Sequence, residues 1–178
     1  MRMMKRRTIL ALLFLSAAPV VLAEESLRIV PFVRDNQVLV TFELDDAFTP
    51  AVHEAIASGL RTTFSYELEL RTVVPGWIDR TIARTVVTTS DQYDNLTRRH
   101  TLTRTVDGRI EDSLTTDDEA VVQTWLTKWT RVPVTDTFKL DPARDYYVQI
   151  TTRARPVGGS LLGLTKSITG SAKFTFIP

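Results

Sequence analysis

Only two histidines occur in the chain, His53 and His100, and there is no cysteine. Cysteine nucleophiles, thiolate metal sites and a lipid-modified cysteine are therefore excluded. His53-Glu54 opens like a zinc-protease helix motif, but the position four residues on is Ala57, so the second imidazole ligand is missing. Neither histidine reads as a metal ligand, and no cofactor motif is legible. Gly158-Gly159-Ser160-Leu161-Leu162-Gly163-Leu164-Thr165-Lys166-Ser167 approaches a phosphate loop, yet Leu164 and Thr165 separate the last glycine from the lysine. The stretch reads as a loop between two late strands. Glu67 and Glu69 share one face of a strand, about 7 Å apart by the two-residue repeat, a separation that suits an acid/base pair. On a solvated sheet such acids instead face arginines of the next strand, and Arg80, Arg84, Arg98 and Arg99 are near in sequence. No Ser-His-Asp arrangement is visible. No catalytic residue is assigned.

Binding chemistry is better represented. Leu96 to Arg104 holds Arg98, Arg99, His100 and Arg104, a basic stretch suited to an anionic lipid head group or an acidic partner. Alternation places Arg98, His100 and Arg104 on one face and Arg99 on the other. The same pattern serves as a charged strand that discourages edge pairing. Trp77 follows Pro75-Gly76 and is the aromatic best placed for a loop tip, although packing over the core is the usual fate of a lone tryptophan. The candidate binding residues are therefore Trp77, Arg98, His100 and Arg104.

Period-2 alternation must supply the frame for these residues. Phe64, Tyr66, Leu68 and Leu70 alternate with Ser65, Glu67, Glu69 and Arg71; Val38, Val40, Phe42 and Leu44 repeat the pattern, as do Tyr146, Val148, Ile150 and Ala154. One wet face favours antiparallel pairing. Further strands are expected at 27–33, 81–89, 96–106, 134–140 and 167–177, punctuated by Asp35-Asn36, Pro75-Gly76, Asp107-Gly108 and Gly158-Gly159. The expectation is a mainly β chain: an antiparallel β-sandwich or strongly curled sheet of about eight strands with two short α-helices. The first helix opens at Thr49-Pro50 and places Val52, Ala55, Ile56 and Gly59 on one side. The second is marked by Thr116-Asp117-Asp118-Glu119 as a capping box and by Val121, Val122, Trp125, Leu126 and Trp129.

The 178 residues begin with Arg2, Lys5, Arg6 and Arg7, then an apolar run from Thr8 to Leu22, then Val21-Leu22-Ala23 before Glu24-Glu25. This pattern predicts a signal peptide over 1–23 and a single domain over 24–178. The apolar run of about 15 residues falls short of the roughly 20 that span a bilayer, so no span remains after cleavage. Losing four basic residues leaves 18 Lys+Arg against 21 Asp+Glu, a net charge of −3. That balance speaks against nucleic acid as a partner, since counterion release needs a dense basic face. The expected location is the periplasm or envelope of a bacterium. Asn95-Leu96-Thr97 is a glycosylation sequon that matters only in a eukaryotic source.

The run Glu54-Ala55-Ile56-Ala57-Ser58-Gly59-Leu60, then Phe64-Ser65-Tyr66-Glu67-Leu68-Glu69-Leu70-Arg71, Trp77-Ile78-Asp79, Tyr93-Asp94-Asn95-Leu96 with Arg99 and His100, and Tyr146-Tyr147-Val148-Gln149-Ile150 resembles the exported bacterial proteins grouped as domain of unknown function 4390. Where that family commonly has tyrosine this chain has His100, and where a Leu-Pro pattern often follows the late strand it has Pro156-Val157-Gly158-Gly159. The resemblance implies a signal-bearing envelope protein of β-rich fold and imports no activity. The functional expectation is a non-enzymatic module that contacts another envelope protein. Its rivals are a carrier of an apolar or lipid-like ligand between sheet layers, and a hydrolase using Glu67 and Glu69.

Overall fold

The computed structural model describes residues 26–45, 47–156 and 167–176. The leader and the Gly158 to Lys166 stretch lie outside the described residues. Among the described residues, nine strands and two helices follow one another as β1 (Leu27–Arg34), β2 (Gln37–Leu44), α1 (Pro50–Ala57), β3 (Thr62–Thr72), β4 (Arg80–Asp94), β5 (Arg99–Val106), β6 (Arg109–Thr116), α2 (Glu119–Thr127), β7 (Lys128–Asp136), β8 (Tyr146–Pro156) and β9 (Ser167–Phe174). All pairings are antiparallel. One sheet has the order β1-β2-β7 and the other β6-β5-β4-β3-β8-β9.

The alternation in the sequence becomes the interior of a sandwich-like fold. Val38, Val40, Phe42 and Leu44 of β2 are buried, as are Phe64, Tyr66, Leu68 and Leu70 of β3 and Tyr146, Val148 and Ile150 of β8. The Phe42 and Tyr66 rings meet across the layers with centroids 4.9 Å apart, an edge-tilted contact that aromatic quadrupoles favour. β9 lies against β1, where a Cβ on Gly170 would stand 3.2 Å from Leu27 Cδ2, so a glycine permits the close approach.

The three-stranded sheet is too narrow to cover all six strands of its partner, and α2 covers the remainder. Tyr66 Oη donates to the Leu126 carbonyl at 2.6 Å, and Thr89 Oγ1 donates to that of Trp125 at 3.2 Å. Both bonds fix the C-terminal turn of α2 over β3 and β4. α1 closes the end of the sandwich nearest Thr62, burying Val52, Ala55 and Ile56. Thr49 caps it and Gly59, at φ +78°, ends it, a left-handed conformation that glycine adopts without Cβ strain.

Four local expectations are corrected. β6 is a ninth strand: it is almost wholly exposed, so its residues carry no burial alternation. The left-handed Asp107-Gly108 turn, at φ +47° and +80°, makes it a hairpin with β5. Second, Thr116 does not cap α2, because it is the last residue of β6 opposite His100; Asp118 caps instead, accepting from Ala120 N at 2.8 Å. Third, Trp129 lies on β7 opposite Phe42, not on α2, since the backbone turns extended at Lys128. Finally, β7 ends at Asp136 and residues 137–139 form a single 3-10 turn.

Candidate functional site

The two histidines, distant in sequence, line one cleft of about 820 Å³ at the α1 end of the sandwich. α1 supplies His53 and Glu54, β4 and the β4–β5 turn supply Tyr93, Thr97 and Arg98, β5 supplies Arg99 and His100, and the start of α2 supplies Asp117 and Glu119. Each imidazole is held by an acid through Nδ1. His53 meets Glu119 Oε1 at 2.9 Å, joining α1 to α2, and its ring packs edge-on against Phe48. His100 meets Asp91 Oδ2 at 2.9 Å and packs beside Tyr93, its cross-strand neighbour.

Asp91 is 0% exposed because it continues the inward face of β4 after Thr85, Val87 and Thr89. Its Oδ1 has no hydrogen-bond partner among the described residues. Burial raises its carboxyl above the ordinary 3.8, against the hydrogen bond and charge of His100, which lower it. The folded chain therefore holds this proton to higher pH than the unfolded chain does. Below 3.8 both states are protonated and burial carries no charge penalty; as pH rises above 3.8 the unfolded state ionises first and stability falls. The unfolding free energy of the wild type minus that of Asp91→Asn is expected to decrease as pH rises from about 4 through the raised value. Urea unfolding over a pH series checks this, and a difference that grows with pH contradicts it.

Arg98 is not on the strand. It sits in the β4–β5 turn at φ +54°, where the Asp94 carboxylate accepts from the backbone N–H of Leu96 and Thr97 at 2.8 and 3.4 Å. The same turn lifts Leu96 to 95% exposure. Arg98 and His100 thus share the cleft with Arg99, whereas Arg104 does not. Arg104 stacks between Trp125 and Trp129, its guanidinium carbon 4.3 and 4.7 Å from their ring centroids. It donates to the carbonyls of Trp125 and Lys128 at 2.8 and 2.6 Å. These contacts make it the clamp on the end of α2, where a cation also complements the helix dipole. Burial lowers its pKa, opposed by the charge of Asp112.

Trp77 lies at the opposite end of the sandwich, in the β3–β4 loop. It is 80% exposed and its neighbour Ile78 76%. The loop is nonetheless tightly braced. Trp77 N donates to the Val74 carbonyl at 3.1 Å across Pro75-Gly76, with Gly76 at φ +75°, the arrangement of a type II turn that needs glycine at its third position. Asp79 accepts from Val74 N at 3.2 Å and from Tyr147 Oη at 2.8 Å, and its carbonyl accepts from Arg71 at 3.1 Å. The Tyr147 bond, then the Val74 N–H, hold its carboxyl below the ordinary range.

Glu67 contacts Arg84 Nη2 at 2.5 Å and Arg153 Nη1 at 3.9 Å on the outer face of the six-stranded sheet. This is charge pairing across strands. No group of three or more His, Asp or Glu residues among the described residues is placed to hold a metal. Asp91, Ile78, Asp79 and the His53–Glu119 contact were not identified from sequence. Asp91 lies on the buried side of β4, where residues 85, 87, 89 and 91 alternate with half-buried neighbours, but Thr85 to Ser90 carries no apolar alternation in sequence to announce it; the others depend on tertiary contacts.

A family model described as Domain of unknown function (DUF4390) matches residues 25–156, more than half of the chain. No curated protein and no solved structure matches it.

Proposed function

Since the chain belongs to the DUF4390 family, we propose that it is an exported envelope protein that works by contacting another envelope protein through the Trp77-Ile78 loop. The observation that carries this reading is the pair of adjacent large apolar side chains, exposed at 80% and 76% on a loop braced by Asp79. Isolated exposed apolar residues are ordinary on protein surfaces. A tryptophan on a preorganised loop differs, because little ordering entropy is lost when it fills a partner's pocket. The basic start, apolar run and Ala23-Glu24 junction support export. Among the described residues no helix is long and apolar enough to cross a membrane.

Carriage of an apolar ligand has weaker support, since Phe42, Tyr66, Leu68, Leu70 and Ile150 fill the space between the layers. The hydrolase reading is weaker still, with Glu67 engaged by two arginines. The chain recovered from its own cells should begin at Glu24 and copurify with a fixed envelope protein. Trp77→Ala should weaken that complex by about 2 kcal/mol, roughly 30-fold in Kd, and leave the melting temperature nearly unchanged. A leader still attached, or an unaltered complex with Trp77→Ala, contradicts the proposal.

A further inference from the structure

The cleft at the other end of the molecule carries a second, independent inference. Arg98 and Arg99 line it and make no ion pair among the described residues. His100 stands beside them with Nδ1 committed to Asp91, which leaves Nε2 as its free ring nitrogen. Behind it, Asp91 is fully buried with one carboxylate oxygen unpartnered. A buried carboxylate with one oxygen unpartnered is poorly compensated unless the imidazole that it meets carries a proton. An anion at Nε2 would stabilise that imidazolium from its other side, so both ring N–H groups would have negative acceptors.

We propose that this cleft is a binding site for a single small oxyanion, a phosphate or a carboxylate group, held by Arg98, Arg99 and His100, and that His100 takes up a proton as the anion binds. The helix side sets the limit on charge. Glu54 and Asp117 face the cleft from α1 and the start of α2, and Glu119 is engaged by His53. These acids repel additional negative charge, so one oxyanion group fits the balance and a polyanion does not. Tyr93 packs against His100 with ring centroids 4.6 Å apart and planes tilted by 39°, which restricts the imidazole's rotation. Proton and anion affinities must raise one another equally by linkage. Anion affinity therefore increases as pH falls, by up to about tenfold per pH unit where one proton is taken up per anion.

The chain holds only two histidines, so its imidazole Cε1–H spectrum has two signals, and His53→Gln assigns them. Inorganic phosphate or acetate, each compared with chloride at equal ionic strength, should shift the His100 signal and raise its titration midpoint. The effect should disappear in the Arg98→Gln, Arg99→Gln double variant. A response to phosphate alone identifies a phosphate-type ligand, and a response to acetate alone a carboxylate. If neither anion moves the His100 signal beyond chloride, or the response survives the double variant, the proposal is overturned. Neither result bears on the Trp77 loop, which lies at the far end of β3.

Discussion

Replacing Phe42 with alanine is expected to destabilise the domain by about 4 kcal/mol, and Phe42→Leu by roughly 1 kcal/mol. Phe42 is 1% exposed, faces Trp129 on β7 and Ile29 on β1, and meets the Tyr66 ring across the layers. It is thus the side chain through which the small sheet grips the large one. Truncation removes its transfer free energy and leaves a cavity that two hydrogen-bonded sheets can only partly close. Net stabilities of about 5–15 kcal/mol make this a large fraction of the total. Urea unfolding should show a lower midpoint with a similar slope. A loss below about 1 kcal/mol for alanine would mean that the two sheets do not pack through this residue.

Arg104→Ala should cost about 3 kcal/mol, although the residue looks from sequence like part of a surface charge pattern. Two charge-assisted bonds to the Trp125 and Lys128 carbonyls are lost, together with the stacking of a guanidinium between two indoles. The Lys128 carbonyl then loses its side-chain donor, and the Trp125 carbonyl keeps only Thr89 Oγ1. Lysine should recover less than half, because its ammonium can donate to both carbonyls but offers no planar face to stack between the two indoles. Tryptophan fluorescence distinguishes this from a general loss of packing: the emission of Trp125 and Trp129 should move to the red in Arg104→Ala before global unfolding. An Arg104→Ala variant as stable as the wild type would return the residue to a purely surface role.

What could be read in advance followed from burial periodicity. Phe64 to Leu70, Val38 to Leu44 and Tyr146 to Ile150 each put one face into the core, and a period of two expresses that directly. β6 escaped because Arg109 to Thr116 has water on nearly every side, so nothing selects for alternation; only the Asp107-Gly108 turn betrays it. Trp129 was misplaced because a helix repeat of three or four also fits a run that changes to a strand at Lys128. Of the four candidate binding residues, the structure gathers His100 and Arg98 in one cleft, sends Arg104 inward to clamp α2, and leaves Trp77 alone at the opposite tip. Arg104 is separated from the turn that carries Arg98 by distance along β5 and not by face, and where β5 starts depends on the Asp94 carboxylate holding the turn.

The partner-contact account is tested most directly by a photocrosslinking amino acid placed at position 77 in cells that make the protein, with position 65 on the outer sheet face as comparison. The account predicts one discrete adduct with an envelope protein from position 77, absent from position 65 and abolished by Ile78→Asp in a chain that still folds. No adduct from position 77, or the same adduct in equal yield from position 65, would contradict it.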